Sequence, residues 1–403
     1  MRLTFLNRYF YPDHSATSQM LSDLAFFLAG AGHGVNVIAS RQLYDDASAH
    51  LPAFECVKGV DVHRVLTTHF GRANLIGRAV DYASFYVAAG WRLWRVVRAG
   101  DVIVAKTDPP LIMVVAAIIA RARGARLVNW VQDVFPEVAG ALGVAAVAGP
   151  QASLLRALRN RVFQHAAMNV VLGESMAAVV AQAGVPAQRI CIIPNWADSE
   201  AIYPVASLDN PLRPAWGLES RMVVCYSGNM GRAHEFETIL GAAERLAVTA
   251  AHICFVFIGA GAQRPWVEAE AGRRKLPNVQ FRPYQARSVL PLSLGLGDIH
   301  LLSQRPEVEG YVFPSKLYGI LAAGRPLVFI GAQDGEIGRL VEREGVGVSV
   351  RQGDAAALAS QLERLAEDPA LRGAMGARAR ALLCARYGKS IAFTAWQVLL
   401  ARL

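Results

Sequence analysis

The chain repeats one pattern twice: an apolar strand, a polar loop, an amphipathic helix and another apolar strand. The first copy begins with the strand at 3–6, and the second begins with the strand at 222–226. Alternation of this kind predicts mainly parallel sheets, because a crossover helix is what usually joins two parallel strands. In the second copy the helix has apolar residues at helical spacing, namely Phe236, Ile239, Leu240, Ala243 and Leu246. The sequence therefore predicts an α/β fold built from two similar halves.

A proline-rich segment separates the two copies. Pro204, Pro211 and Pro214 lie between 198 and 214, which predicts a linker there. We expect an N-terminal domain at 1–200 and a C-terminal domain at 201–390. The last helix, at 391–403, has no strand after it and is expected to cross back to the first domain. The cleft between two such domains is the expected ligand site.

Composition excludes several classes of protein. A chain of 403 residues with 53% hydrophobic residues and a mean hydropathy of +0.28 is not disordered. Its longest apolar run, at 111–120, is half of the roughly 20 residues that a spanning helix needs. Polar residues interrupt the N-terminal segment where a signal peptide would be apolar, so we expect a cytoplasmic protein. The net charge of +9 suits nucleic acid, anionic lipid or a phosphorylated ligand equally well.

Cysteine, glycine and histidine spacing disfavours three kinds of site. The five cysteines are too far apart for a zinc knuckle or a redox dithiol, and we expect them to be reduced. Gly259 and Gly261 follow a strand, but the third glycine of a dinucleotide fingerprint is missing. The histidines lack metal-ligand spacing on a helix face. Surface or helix-capping roles are expected for His14, His33, His69, His165 and His234.

The segment at 307–326 carries the most informative chemistry. Ser315 precedes a short helix, and we expect its hydroxyl to cap that helix. The backbone N–H groups of Lys316 and Leu317, the helix dipole and the lysine charge together predict an anion site. In the loop before it, Glu309 offers acceptors for sugar hydroxyls and Gly310 allows close backbone approach. These features fit a nucleotide-sugar pocket, although the residues alone fit an ordinary capped helix as well.

Seven segments follow one another along essentially the whole chain, at 11–40, 130–137, 193–198, 226–232, 281–285, 309–319 and 322–326. Together they resemble the retaining GT-B glycosyltransferases of family 4. Within that family they are most similar to the bacterial branch that builds O-antigen, capsule or exopolysaccharide on a lipid carrier. The resemblance implies the GT-B fold, in which two Rossmann-like domains face a central cleft. The first domain would bind the acceptor and the second the donor.

The resemblance also implies a role for individual residues of the donor site. Those that would contact the donor sugar are Glu309, Gly310 and Tyr311. Those that would hold the diphosphate are Gly228, Asn229, Arg232, Ser315, Lys316 and Leu317. Pro283 and Tyr284 would lie beside the nucleotide base. The residues expected to matter most for catalysis are Glu309, Asp133, Arg232 and Lys316.

On the acceptor side, the family pattern maps onto two segments. A loop that closes over the donor would contain Asp13, Ser15, Ala16 and Thr17. Asp133 would meet donor and acceptor, and Glu137 lies in the same segment. The chain departs from the family at Gly319, where a glutamate normally contacts the ribose. A glycine pair of the first loop is replaced by 15–17, and the family's lysine after the phosphate loop falls near His234.

The implied activity is transfer of a sugar from a nucleoside-diphosphate donor, with UDP favoured, to a lipid-linked saccharide with retention. No nucleophile is evident, so the leaving phosphate would serve as the base. No cofactor, metal or nucleic acid is expected, since this fold usually holds the diphosphate without a metal and no Asp-x-Asp occurs. Two alternatives stay open: a nucleotide-sugar 2-epimerase of the same fold, and a non-catalytic nucleotide-sugar-binding homologue.

A lipid-linked acceptor would require the protein to reach the inner face of the plasma membrane. The stretch at 82–98 mixes aromatic residues with arginine, which is typical of a helix lying on anionic lipid. A buried helix with exposed arginines is an equally good interpretation of the same residues. The expected membrane contacts are Trp91, Arg92, Trp94, Arg95 and Arg98.

Overall fold

A computed structural model describes residues 1–46, 48–70, 75–144, 147 and 149–403. The chain divides into two compact units. Unit 1 comprises Met1–Pro194, Gly310–Phe313 and Ala392–Leu403, and unit 2 comprises Asn195–Glu309 and Pro314–Ile391. Each unit contains one sheet with helices around it.

Unit 1 has eight strands in one sheet, in the order β3-β4-β2-β1-β5-β6-β7-β8. They are β1 (Arg2–Leu6), β2 (Gly34–Ser40), β3 (Phe54–Val57), β4 (Val60–Val65), β5 (Val102–Lys106), β6 (Arg126–Trp130), β7 (Met168–Val171) and β8 (Ile190–Ile192). Neighbouring strands are parallel except for the antiparallel pair β3 and β4. Every residue of β5 is buried, as expected for a parallel strand covered on both faces.

The helices of unit 1 follow the strands in the alternating order that the sequence predicts. They are α1 (Ala16–Gly30), α2 (Leu75–Val96), α3 (Ile112–Arg123), α4 (Glu137–Ala141), α5 (Pro150–His165) and α6 (Glu174–Gln182).

Unit 2 has six strands, all parallel, in the order β11-β10-β9-β12-β13-β14. They are β9 (Met222–Ser227), β10 (Ile253–Ile258), β11 (Val279–Arg282), β12 (Ile299–Ser303), β13 (Leu327–Gly331) and β14 (Gly347–Arg351). The helices are α7 (Leu212–Ala215), α8 (Glu237–Thr249), α9 (Arg264–Arg273), α10 (Leu290–Gly295), α11 (Lys316–Ala322), α12 (Glu336–Arg343), α13 (Ala355–Glu367) and α14 (Pro369–Leu382). The predicted α/β fold with two mainly parallel sheets is confirmed.

The final helix, α15 (Lys389–Ala401), contributes its residues from Ala392 onward to unit 1. Two aromatic pairs anchor these residues. The ring of Phe393 stacks on Phe27 of α1 at 4.4 Å between centroids, and Trp396 meets Trp130 edge-on at 4.9 Å. Contacts of this kind add to the burial of large apolar surface and fix the helix in place.

The segment predicted as a linker packs within unit 2. Arg380 of α14 donates hydrogen bonds to the carbonyl oxygens of Ser199 (2.7 Å) and Ile202 (2.8 Å). Lys389 lies 3.1 Å from a carboxylate oxygen of Asp198. These bonds satisfy carbonyl groups of the turn at 199–202, so this point of the chain is a structured part of the unit.

Strand order determines where a site can form in each unit. In unit 2, the chain runs from β9 outward through β10 and β11, then returns to place β12 on the other side of β9. The same reversal occurs in unit 1 between β1 and β5. Loops leave the carboxyl ends of such strands in opposite directions and open a crevice, which is where α/β sheets bind ligands. We therefore expect ligands to bind at the loops after β1, β5, β9 and β12.

Candidate functional site

In unit 2, the loop after β9 passes beneath the side chain of Lys316. Gly228 has φ of +128°, and a Cβ at this position would lie 2.7 Å from Cε of Lys316. Real Cβ atoms do not approach a carbon so closely, and the backbone angle itself favours glycine. Gly228 therefore lets the lysine stem cross directly over the loop.

The ammonium of Lys316 is held by an imidazole. Its Nζ lies 2.8 Å from Nε2 of His234 and 5.1 Å from the ring centroid of Tyr226. The side chain is half-buried. Burial lowers the pKa of Lys316 to about 7. A positive charge with this little solvation is well suited to pair with an anion.

His234 is more than the surface or capping residue that the sequence predicts, and that prediction is wrong. The residue is half-buried, and its Nδ1 bonds to the carbonyl oxygen of Ser303 at the end of β12. Burial and the neighbouring charge of Lys316 lower the pKa of His234 to about 3. No local pattern indicates the contact, because the two partners lie 82 positions apart.

Asn229 and Arg232 belong to the loop after β9, and Tyr284 lies close to it. Arg232 is exposed, and among the described residues its guanidinium has no hydrogen-bond or ion-pair partner. The side chain of Asn229 lies beside Gly231 and Gly261. Tyr284, which follows Pro283, is 51% exposed, and its ring would lie 3.3 Å from a Cβ at Gly259. Gly228, Asn229 and Arg232 thus follow the carboxyl end of β9, and Pro283 and Tyr284 follow that of β11.

The start of α11 differs from what the sequence predicts. Ser315 is the residue before the helix, but its hydroxyl makes no capping bond. The N–H of Leu317 donates to the carbonyl oxygen of Pro314 at 3.2 Å. The helix has only seven residues, so its dipole is short. The predicted cap is therefore wrong, whereas anion binding by the N–H of Leu317 stays a prediction.

Glu309 lies after β12 and accepts a hydrogen bond from the backbone N–H of Glu336 at 2.9 Å. It therefore satisfies a donor in the first turn of α12. One carboxylate oxygen also lies close to Gly335, where a Cβ would be only 2.9 Å away. Its predicted contact with sugar hydroxyls stays a prediction. Packing does not require glycine at position 319 in α11, since a Cβ there would make only an ordinary contact of 3.5 Å with Cδ1 of Leu294.

Residues 310–313 form part of unit 1. Val312 makes an isolated antiparallel bridge with Asp133, and the carbonyl oxygen of Tyr311 accepts from the N–H of Val134 at 2.8 Å. Gly310 has φ of +76°. The predicted approach of Gly310 and Tyr311 to the donor sugar stays a prediction, and Asp133, which is exposed, lies beside them.

The loop after β1 is fixed by its own hydrogen bonds. Asp13 is 5% exposed, and its carboxylate accepts from the N–H of Ser15 at 2.8 Å and from the N–H of Tyr44. Ser15 is the residue before α1 and Ala16 is the first residue of that helix. The carboxylate of Asp13 therefore orders the loop. Its predicted role near the donor would be indirect.

Lys106 and Asp108, at the end of β5, complete this edge of unit 1. Nζ of Lys106 donates to the carbonyl oxygen of Thr17 at 2.7 Å and lies 4.0 Å from the ring centroid of Trp130. Asp108 accepts from the hydroxyl of Thr17 at 3.2 Å. Burial lowers the pKa of Lys106 to about 7, against the opposing charges of Asp108 and Asp133. Neither residue is predicted as part of a site from the sequence, although a charged residue at the end of an apolar strand is the available signal.

The carboxylate of Glu137 forms ion pairs with two arginines. Its carboxylate lies 2.9 Å from Nε of Arg156 and 2.6 Å from Nη1 of Arg159. Burial raises the pKa of Glu137, but the bonds from Arg159 outweigh that effect and lower it. These ion pairs join α4 to α5, and the predicted acceptor role of Glu137 stays a prediction.

Comparison with known proteins identifies both halves. Residues 16–196 match the family described as "Glycosyl transferase 4-like domain", and residues 221–368 match "Glycosyl transferases group 1". The chain combines a glycosyl transferase 4-like domain with a group 1 glycosyl transferase domain. The family resemblance drawn from the sequence motifs is thereby confirmed.

Two relatives match part of the chain. The putative colanic acid biosynthesis glycosyl transferase WcaI of Escherichia coli (strain K12) is 31% identical over 252 residues, which cover 61% of each chain. The probable glycosyltransferase WbjE of Pseudomonas aeruginosa is 28% identical over 272 residues, or 67% of each chain. The match thus spans about three fifths of the first relative's length.

Solved structures show the same fold. Anabaena HepE in complex with UDP and glucose superposes over 100% of both chains, with a TM-score of 0.75 and 18% identity. WaaG, a glycosyltransferase involved in lipopolysaccharide biosynthesis, has a TM-score of 0.72 and 15% identity, and covers 98% of this chain and 99% of its own. At these identities the likeness establishes the GT-B fold of the two glycosyl transferase domains.

Helix α2 of the glycosyl transferase 4-like domain exposes an apolar stripe. Its members are spaced three, four or seven residues apart, which places them on one face of the helix. They are Ile76 (80% exposed), Val80 (41%), Val87 (76%), Trp91 (65%) and Trp94 (42%). Arg95 and Arg98 are exposed as well, and the guanidinium of Arg95 lies 5.9 Å from the ring centroid of Trp91. Arg92 is half-buried, and its charge contributes with burial to a lowered pKa of His63, so it belongs least to this face.

Neither a spanning helix nor a metal cluster occurs in the described parts of the two domains. No helix there is both long and apolar enough to cross a bilayer. No three histidine, cysteine, aspartate or glutamate side chains, among the residues the structure covers, are grouped to hold a metal ion.

Proposed function

We propose that this protein transfers a sugar from a nucleoside-diphosphate donor to a lipid-linked saccharide, with retention of anomeric configuration. The observation that carries the proposal is the ammonium of Lys316, held over Gly228 at the carboxyl end of β9 by His234. A diphosphate is the ligand that suits a poorly solvated ammonium, and the exposed Arg232 of the loop after β9 would add a second positive charge. UDP is favoured as the nucleotide, because the fold is shared with a protein solved with UDP and glucose. The one relative named for colanic acid biosynthesis supports a saccharide acceptor in polysaccharide biosynthesis.

In the proposed reaction, the bond between the sugar anomeric carbon and the diphosphate oxygen breaks, and the diphosphate leaves with the electron pair. The acceptor hydroxyl oxygen bonds to the same face of the sugar, and its proton passes to the leaving phosphate. Lys316 and Arg232 would stabilise the charge that develops on the diphosphate. Glu309 would accept hydrogen bonds from donor-sugar hydroxyls, and Asp133 would position the acceptor hydroxyl.

A donor screen tests the proposal directly. Purified protein is incubated with a panel of nucleotide sugars and a polyprenyl-diphosphate-linked saccharide, and released nucleoside diphosphate is measured. Acceptor-dependent release with one donor, and a product of unchanged anomeric configuration by NMR, is the expected result. An epimerised sugar formed without acceptor would instead indicate a 2-epimerase. Binding without any turnover would indicate a non-catalytic homologue.

We expect the transfer reaction to proceed without a metal ion. Lys316 and Arg232 supply the positive charge that a metal supplies in other phosphate sites. The measurement is the initial rate of transfer after exhaustive dialysis against EDTA, compared with the rate after Mg²⁺ or Mn²⁺ is added back. Rates should agree within about twofold, since no step in this scheme uses a metal Lewis acid. Strict dependence on the added ion would contradict the scheme.

We also propose that α2 lies on an anionic bilayer. The helices α2, α3 and α5 are neighbours, and the only acidic residue within their bounds is Asp81, which is 3% exposed. The helices α3 and α5 also carry exposed apolar residues, Ile118 (65%) and Leu154 (71%). An apolar surface edged by arginines and free of exposed carboxylates complements an anionic lipid surface.

Removing two arginines from this face should weaken binding to anionic liposomes. Each basic residue near such a surface contributes about 1 kcal/mol, so Arg95→Gln with Arg98→Gln should reduce the partition coefficient roughly 30-fold at low salt. The measurement is sedimentation with phosphatidylglycerol-containing liposomes at increasing salt. Arg245→Gln with Arg364→Gln is the matched control, because it removes the same charge from exposed positions of unit 2. Equal sedimentation of both variants would show that α2 does not meet the membrane.

A further inference from the structure

His234 follows the loop after β9, and each of its two ring nitrogens has a hydrogen-bond partner. Its Nε2 lies 2.8 Å from Nζ of Lys316, and its Nδ1 bonds to the carbonyl oxygen of Ser303. We infer that His234 is a positioning residue, which holds the Lys316 ammonium where the donor diphosphate binds. This inference rests on the proposed function, since it takes the diphosphate as the ligand.

Hydrogen-bond chemistry fixes the state of the imidazole. A carbonyl oxygen can only accept, so Nδ1 must carry the proton in its bond to Ser303. An ammonium can only donate, so Nε2 must offer its lone pair to Lys316. Both conditions are met by one neutral tautomer, whereas a protonated ring would point an N–H at the ammonium. The low pKa of His234 agrees with this tautomer.

The backbone around the ring is held on both sides. Nε2 of Gln263 donates to the carbonyl oxygens of Gly231 (2.6 Å) and His234 (2.8 Å). Ser303 is fully buried in β12, and its hydroxyl accepts from the N–H of Glu235 at 3.3 Å. The ring is therefore fixed before any ligand arrives, which is what a positioning residue requires.

Lys316 depends on that support. Lysine has a flexible four-carbon stem, and ordering it costs conformational entropy at the moment of binding unless the protein has ordered it already. Among the described residues, His234 supplies the one hydrogen-bond acceptor for Nζ. The ring of Tyr226, 5.1 Å away, adds attraction but no direction. Loss of the imidazole acceptor should leave the ammonium present but unplaced.

Two amide variants separate the two ring nitrogens. In His234→Gln the amide reaches the position of Nε2 and can still accept from Lys316. In His234→Asn the shorter amide reaches the position of Nδ1 and can still donate to Ser303, but leaves Lys316 without an acceptor. Calorimetry with UDP should show about tenfold weaker binding for the asparagine variant and a change within about threefold for the glutamine variant. Binding of uridine, which has no phosphate, should not change in either variant.

A double-mutant cycle provides the readout that a merely structural role would not move. If His234 acts through Lys316, then Lys316→Met should abolish the effect of His234→Asn, so the double variant binds UDP no more weakly than Lys316→Met alone. Additive losses, or an asparagine variant that binds like the wild type, would overturn the inference while leaving the proposed function intact. A wild-type protein that binds no nucleoside diphosphate would overturn both. Equal loss in the glutamine and asparagine variants would show that the ring itself, and not its Nε2 acceptor, is needed.

Discussion

Replacing Lys316 with methionine should weaken UDP binding by about 1.5–3 kcal/mol, the range for a charge-assisted hydrogen bond. Methionine keeps the stem that crosses Gly228 but removes the ammonium. Arg232→Ala should cost a similar amount, because the exposed guanidinium is the second positive charge of the predicted phosphate site. Calorimetric titration with UDP checks both, and uridine should bind all three proteins alike.

The same site gives the sign of a pH effect. The charged form of Lys316 binds the diphosphate, and its pKa is about 7 in the absence of ligand. Affinity should therefore be highest below pH 7 and fall as the pH rises through 7 and the ammonium loses its proton. A UDP-sugar is the right probe, since its phosphates do not titrate in this range. Arg245→Gln, remote from the loop, is the charge control and should follow the wild-type profile. If Lys316→Met retained the full pH dependence, a group other than Lys316 would be its cause.

Glu309→Gln should retain the fold and lose most transfer activity. The glutamine carbonyl can still accept from the N–H of Glu336, so the start of α12 should be unchanged and Tm should stay within a few degrees. The hydrogen bonds that the carboxylate would accept from donor-sugar hydroxyls are charge-assisted, and their loss should lower kcat/KM by roughly 10- to 100-fold.

A neighbouring glutamate supplies the matched control. Glu307 lies two positions earlier, and its carboxylate is 53% exposed and 3.7 Å from Nε of Arg305. Glu307→Gln changes the charge of the same loop without touching α12, and it should leave kcat/KM close to wild type. If the two variants behave alike, Glu309 is not in contact with the sugar.

Much of this fold can be predicted from apolar periodicity. The five apolar residues predicted for one face of α8, from Phe236 to Leu246, are all at most 1% exposed. Apolar periodicity does not predict the strands β3, β4 and β14. Strand β3 is only four residues long and partly exposed, so it lacks the continuous apolar run by which buried parallel strands are recognised.

The site was harder to predict than the fold because its key contacts join distant positions. The position of Lys316 after a proline and serine predicts an anion site, but the contact with His234 depends on how β9 and β12 come together. In the same way, the sequence predicts that Asp13 lies in a loop over the donor, but its carboxylate accepts hydrogen bonds from the backbone N–H groups of Ser15 and Tyr44. Side-chain partners of this kind are set by tertiary structure, which local spacing does not record.

The lowered pKa of Lys316 has a consequence for covalent labelling. The chain has five lysines, against 36 arginines, at positions 58, 106, 275, 316 and 389. At pH 7 an ordinary lysine is an unprotonated nucleophile in roughly one molecule in 2,500, whereas an amine of pKa about 7 is so in half of them. Lys106 has a similar pKa but is 1% exposed, and reagents cannot reach it. An acylating reagent at neutral pH should therefore mark Lys316 before any other lysine, and a bound donor should protect it.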